Sequence, residues 1–208
     1  MCIDLVLLCL AYVLSQFFRA FLAVLTQVLE TDVGATPADL AFASGLWFLV
    51  FAAMQIPVGA ALDRVGPRRT SAVLLLIGGG GGSALFAMAT TPLHITVAMG
   101  LIGVGCAPVL MASYFIFARM YAPARFATLA ALMLGFGSVG NLIAAYPTAW
   151  AAETIGWRAT LWVLAAISSS IAVGLWALVQ DPPKANGPEK GPVLALPKNP
   201  ALWAPFPP

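Results

Sequence analysis

A guanidinium inside an apolar stretch is the first feature of this sequence that asks for a chemical reason. Arg19 stands in an apolar run from about residue 3 to residue 25. Tyr12, Ser15 and Gln16 precede it by seven, four and three residues, and Thr26 follows by seven. Those intervals place all five on one stripe of a helix. A charge at the centre of a bilayer costs roughly 2.5–3.5 kcal/mol on insertion scales, so such a residue is expected to face a water-filled cavity. There a guanidinium can take a carboxylate or phosphate through two parallel hydrogen bonds. The alternative is a structural cation that snorkels to the outer headgroups or bonds to helix carbonyls. Gln55, Tyr114 and Asn141 stand near the middle of three other apolar runs and are candidates to line the same cavity. Their alternative role is hydrogen bonding between helices, worth about 0.6 kcal/mol each.

Other chemistries find no residues to carry them. Cys2, Cys9 and Cys106 are scattered among apolar residues, and His94 is the one histidine, so no metal site, catalytic constellation or cofactor is expected. The thiols read as small hydrophobes. The glycines at 78–82 lack the Lys and Ser/Thr of a phosphate loop and lie within an apolar run, so they read as a close helix contact. A net charge of +2 gives no reason to expect nucleic acid. No basic residue precedes the first apolar run, so a cleaved signal peptide is not expected either.

The elements that must position these side chains follow from composition. Of 208 residues, 61% are hydrophobic and 9% charged, with a mean hydropathy of +0.94. A soluble domain carries about 25% charged residues, so the solvent of this chain is lipid. With ~20 residues needed per crossing, the sequence predicts an all-α polytopic bundle. Its spans fall near 3–25, 41–62, 70–90, 93–118, 124–149 and 158–179, and Pro57, Pro108 and Pro147 are expected to kink three of them. The first loop, from Thr26 to Leu40, holds Glu30, Asp32 and Asp39. Alternate loops collect Arg64, Arg68, Arg69, Arg119 and Arg125, joined after the last span by Lys184, Lys190 and Lys198; the opposite side has Arg158. Basic loops stay in the cytoplasm, so both termini are expected there, in a plasma (cytoplasmic) membrane.

The chain also repeats itself. At an offset of 90 residues, Pro57, Ala61, Gly66, Arg68 and Thr70 fall on Pro147, Ala151, Gly156, Arg158 and Thr160 without a gap, and Asp63 falls on Glu153. Spans two and three thus map onto spans five and six, which cross in the opposite sense. A 3+3 inverted repeat of this kind is the construction of many secondary transporters.

The run Gly59-Ala60-Ala61-Leu62-Asp63-Arg64-Val65-Gly66-Pro67-Arg68-Arg69 resembles the cytoplasmic loop between helices two and three of the major facilitator superfamily. Pro67 takes the first basic place and the basic pair shifts by one residue. Gly156-Trp157-Arg158 before the sixth span is also similar to this family. The resemblance covers nearly residues 3–181 and implies one half of the family fold, the N-terminal one. It implies a gating role for Gly59, Asp63, Arg64, Gly66, Arg68, Arg69 and Arg119, with Asp63 pairing with basic residues and with a helix of the second half. Gly59 is expected to permit close helix contact. Residues 182–208 read as a Pro-, Gly- and Lys-rich linker, whose Asn199–Trp203 resembles the approach to a seventh helix. The antiporter arginine of helix four is replaced by Met99, which argues against drug:proton exchange. The expected function is secondary transport of a small solute, organic or inorganic and anionic, with lipid and a second six-helix half as partners. The competing expectation is a non-transporting half-size subunit or remnant that needs such a half.

Overall fold

The apolar stretches become six membrane-long helical spans in the computed structural model, which describes residues 2–183. Hydrocarbon offers no partner to backbone N–H and C=O groups, and a helix pairs them internally. Span 1 comprises α1 (Cys2–Ala20) and α2 (Leu22–Val33), and span 2 comprises α3 (Pro37–Ala53) and α4 (Gln55–Arg64). Span 3 runs through α5 (Pro67–Leu74), a π-helical segment (Leu75–Gly81) and α6 (Gly82–Ala87). Span 4 is α7 (Pro92–Met120), span 5 is α8 (Pro123–Ala144) with α9 (Tyr146–Thr154), and span 6 is α10 (Trp157–Leu178). No strand occurs among the described residues. The linker reading beyond Pro183, with Lys184, Lys190, Lys198 and Asn199–Trp203, lies outside them.

Proline and capping residues set the helix boundaries. Pro37, Pro67, Pro92 and Pro123 open α3, α5, α7 and α8, where a missing N–H costs nothing. At α3 the Thr36 hydroxyl accepts from the Asp39 amide at 3.2 Å while the Asp39 carboxylate accepts from the Thr36 amide at 2.9 Å. The first helix outruns its expected end and stops at Gly34, whose φ of +68° suits glycine. Thr26, Glu30 and Asp32 therefore lie on a helix, correcting the expected loop.

The prolines inside the spans act differently from one another. Span 5 breaks at Ala145, and the Ile143 carbonyl that Pro147 cannot serve accepts the Thr148 hydroxyl at 2.8 Å. Span 2 breaks at Met54, three residues before Pro57. Pro108 sits within α7 without interrupting it.

Spans 2, 4, 1 and 5 pack in that order as a row, through α3 on α7, α7 on α1 and α1 on α8. Spans 3 and 6 pack on each other and back the row, span 3 behind span 4 and span 6 behind span 1. Exchanging 1 with 4, 2 with 5 and 3 with 6 maps each of these contacts onto another, as an inverted repeat requires. Glycines make the contacts close. A Cβ at Gly78 would run into the backbone of Leu101 and Gly105, and one at Gly140 into the Val13 carbonyl. The glycine run thus brings span 3 backbone to backbone with span 4, as its composition suggested.

Candidate functional site: a polar face and two end clamps

All six candidate solute residues come from the four spans of the row, and none from the backing pair. Arg19 projects from the last turn of α1 and is exposed. Its guanidinium carbon lies 5.6 Å from the ring centre of Trp47, 5.8 Å from Phe48 and 6.0 Å from Phe51, all on α3 of span 2. Spans 1 and 2 also touch directly, through α2 and α3, and the side chain bridges the two. No carboxylate pairs with it among the described residues. Neither does it bond to a helix carbonyl there; aromatic faces hold it instead. Those rings hold one another, with Trp47 stacked on Phe51 at 5.1 Å and Phe48 edge-on to Trp47 at 4.8 Å. The buried Trp47 indole N–H has no acceptor among the described residues.

Farther along α1, the Gln16 amide donates to the Tyr12 hydroxyl at 2.6 Å. Both pack on Gly137 of span 5, where a Cβ would collide with the Tyr12 ring. Tyr114 of span 4 is half-buried, edge-on to Phe126 at 5.8 Å. Gln55 donates to the Phe51 carbonyl of its own span at 3.0 Å, so its bond is within a helix rather than between helices. That bond sits next to the Phe51 ring that Arg19 faces. Asn141 is exposed on α8, one residue beyond the Gly140 contact with span 1. The structure thus gathers Arg19 with the Phe51–Gln55 turn and pairs Tyr12 with Gln16. It leaves Asn141 on the edge helix of the row.

The predicted signature loop forms a charged cluster at one end of the bundle. Asp63 and Arg119 lie 3.6 Å apart, and the Arg119 guanidinium stacks 3.7 Å from the Phe115 ring centre. Arg64 and Arg69 are exposed. Gly66 holds φ at +102° and ψ at 155° to start α5, a conformation reserved for glycine. Gly59 corrects an expectation: a Cβ there would meet only the Met111 sulfur at 3.9 Å, an ordinary contact, so close approach does not require glycine.

One residue of this cluster escaped the sequence reading. Asp181, just past α10, accepts from the Arg68 amide at 2.9 Å and lies 3.7 Å from the Arg68 guanidinium. Its carboxylate caps the N-terminus of span 3, where the helix dipole favours negative charge. The other end of the 3/6 pair answers it. Arg158 at the start of span 6 donates to the Ala89 carbonyl at the end of span 3 at 3.0 Å, and lies 3.7 Å from Asp32. The Trp157 indole donates to the same Asp32 at 2.8 Å. The 90-residue offset was the available signal, because it places Arg68 and Arg158 at equivalent ends of antiparallel neighbours. Beside Asp32, α2 and α9 border a cleft of about 440 Å³ whose walls include Gln27, Thr31, Asp32 and Glu153.

Six lipid-compatible spans in two inverted sets of three define an integral membrane protein of the inverted-repeat class. The Major Facilitator Superfamily model matches residues 8–206, and the chain belongs to that family. Among solved structures it is similar to a bacterial homologue of the human lysosomal transporter Spinster, in an inward-facing and unoccupied conformation. The identity is 18% and the TM-score 0.75, over 98% of this chain and 48% of that one. The likeness is one of fold, and the chain spans about half the length of that structure. No curated protein matches the chain.

Proposed function

We propose that residues 1–181 form the N-terminal six-helix half of a secondary transporter that moves a small anion by alternating access. The observation that carries this reading is Arg19, an exposed cation with no carboxylate partner among the described residues, held against the aromatic rings of span 2. Aromatic rings occupy its faces, and its N–H edges remain available to an anion. Gln16, Tyr12, Gln55, Tyr114 and Asn141 supply hydrogen bonds from the same row. A second six-helix half closes the other side of the cavity, with residues 182–208 as the link towards it. The end bearing Arg64, Arg68, Arg69, Arg119 and Arg125 is cytoplasmic, as are both termini, and the membrane is the plasma membrane. There Asp63, Arg119 and the Arg68–Asp181 pair act as the gate that the second half engages. Gly66 shapes its turn, and Arg64 and Arg69 offer exposed charge.

The test uses the native gene. Uptake of labelled small carboxylates, phosphate and sulfate is compared in cells with the gene intact, deleted, or replaced by an Arg19→Ala copy. Loss of uptake of one anion on deletion, restored by the wild-type gene and not by Arg19→Ala, is expected. Full restoration by Arg19→Ala removes the anion site, and unchanged uptake of every anion on deletion removes the transport reading.

A further inference from the structure

The surroundings of Arg19 say more about its ligand than its charge alone. Among the described residues the other cations stand at the ends of the bundle: Arg64, Arg68, Arg69, Arg119 and Arg125 at one, Arg158 at the other. Among the described residues, the face around Arg19 therefore offers one positive charge to a ligand. A monoanion balances it, whereas a dianion brings a second charge with no described counter-charge beside it. The shape of the face adds a second constraint. Beside the guanidinium lie two accessible rings, Phe48, which is 49% exposed, and the half-buried Phe51. Trp47, buried at 1% exposure, stacks behind Phe51 and fixes its plane, the two rings being 12° from parallel. Phe48 stands nearly perpendicular to Trp47, at 81°, and hence to Phe51. A flat apolar group stacked on Phe48 therefore turns its edge to Phe51 and keeps its negative end within reach of the guanidinium, in the stacked and edge-on company that rings prefer. A tetrahedral inorganic anion uses the guanidinium and leaves the rings bare.

We infer that the Arg19 face takes a monocarboxylate with a flat apolar body, the carboxylate on the guanidinium and the body stacked on Phe48 with its edge to Phe51. This inference rests on the anion-site reading and narrows it to one substrate class. The experiment is thermal unfolding of the purified full chain in detergent, with benzoate, benzamide, acetate, sulfate and phosphate at matched ionic strength. A ligand that binds the folded state raises the midpoint with concentration. Benzoate is expected to raise it most and acetate less, while benzamide, sulfate and phosphate leave it in place. Arg19→Gln should weaken benzoate about ten- to a hundredfold, the range for a lost charge-assisted pair. Phe48→Leu should weaken benzoate several-fold and leave acetate unchanged. The benzoate–acetate–benzamide ranking in the wild-type chain tests the inference even if a variant fails to fold. Benzamide acting as well as benzoate overturns it, because the ring is then partitioning without the charge. Sulfate or phosphate acting as well as benzoate also overturns it but keeps the anion site. No shift with any anion removes both.

Discussion

The turns at Gly66 and Gly156 are the same object built twice. Both glycines hold positive φ, at +102° and +86°, and both start a helix. In both, the carbonyl accepts the hydroxyl of the threonine four residues on, at 2.8 Å to Thr70 and 2.9 Å to Thr160. In both, the arginine two residues on reaches the far end of the antiparallel neighbour. What they hold differs. Arg68 meets a carboxylate that caps its own helix, in contact with Gly66. Arg158 meets a backbone carbonyl and shares Asp32 with an indole. Local sequence thus repeats a backbone, and the neighbours that tertiary packing delivers decide what it does.

That comparison breaks first at the glycines. Gly66→Ala should cost the upper part of about 1–3 kcal/mol, because strain in a glycine-only conformation adds to a Cβ pressed 3.0 Å from the Asp181 carboxylate. Gly156→Ala should cost the lower part of about 1–3 kcal/mol, since nothing lies within 4 Å of its Cβ. Thermal unfolding of the two variants in one detergent measures the gap, and equal losses would mean that Asp181 does not crowd the first turn. The proline breaks offer a second contrast. Thr148→Val strands the Ile143 carbonyl and should destabilise by about 1–2 kcal/mol, with faster amide exchange along α9. Gln55→Leu should cost less, about 0.6 kcal/mol, the average for one side-chain hydrogen bond inside a membrane protein.

The smallest effects fall on the clamps themselves. Asp181 and Asp32 are each about a third or more exposed, so solvent screens both pairs. Asp181→Asn should lower stability by about 1 kcal/mol or less and speed exchange of the Arg68 amide. Asp32→Asn should cost less still, because an asparagine oxygen still accepts the Trp157 indole. Added salt should narrow the difference between wild type and Asp181→Asn. A loss that is insensitive to salt would assign Asp181 a packing role.

Much of the architecture was legible because it rests on local rules. Apolar length marks the spans, and an offset of 90 exposes the repeat down to the two glycine turns. The end of span 1 was misread because Glu30 and Asp32 look like loop residues, and a helix can carry acids once it has left the hydrocarbon. The Gln55 bond was legible only as a polar group in need of a partner. Residue type gives no rule for choosing a carbonyl of the same span over a neighbouring helix.

By itself the sequence determined that this chain lives in a membrane, that it crosses six times, and that Arg19 is a charge in need of a reason. These are consequences of hydration and hydrogen bonding, which act residue by residue. Only the tertiary structure decided that Arg19 lies against the rings of span 2, that Asp181 returns to cap span 3, and that Asp32 serves both Trp157 and Arg158. Each of these joins residues far apart in the chain. Such pairings follow from how glycine-lined helices pack into a row and its backing, an arrangement that local preference does not encode.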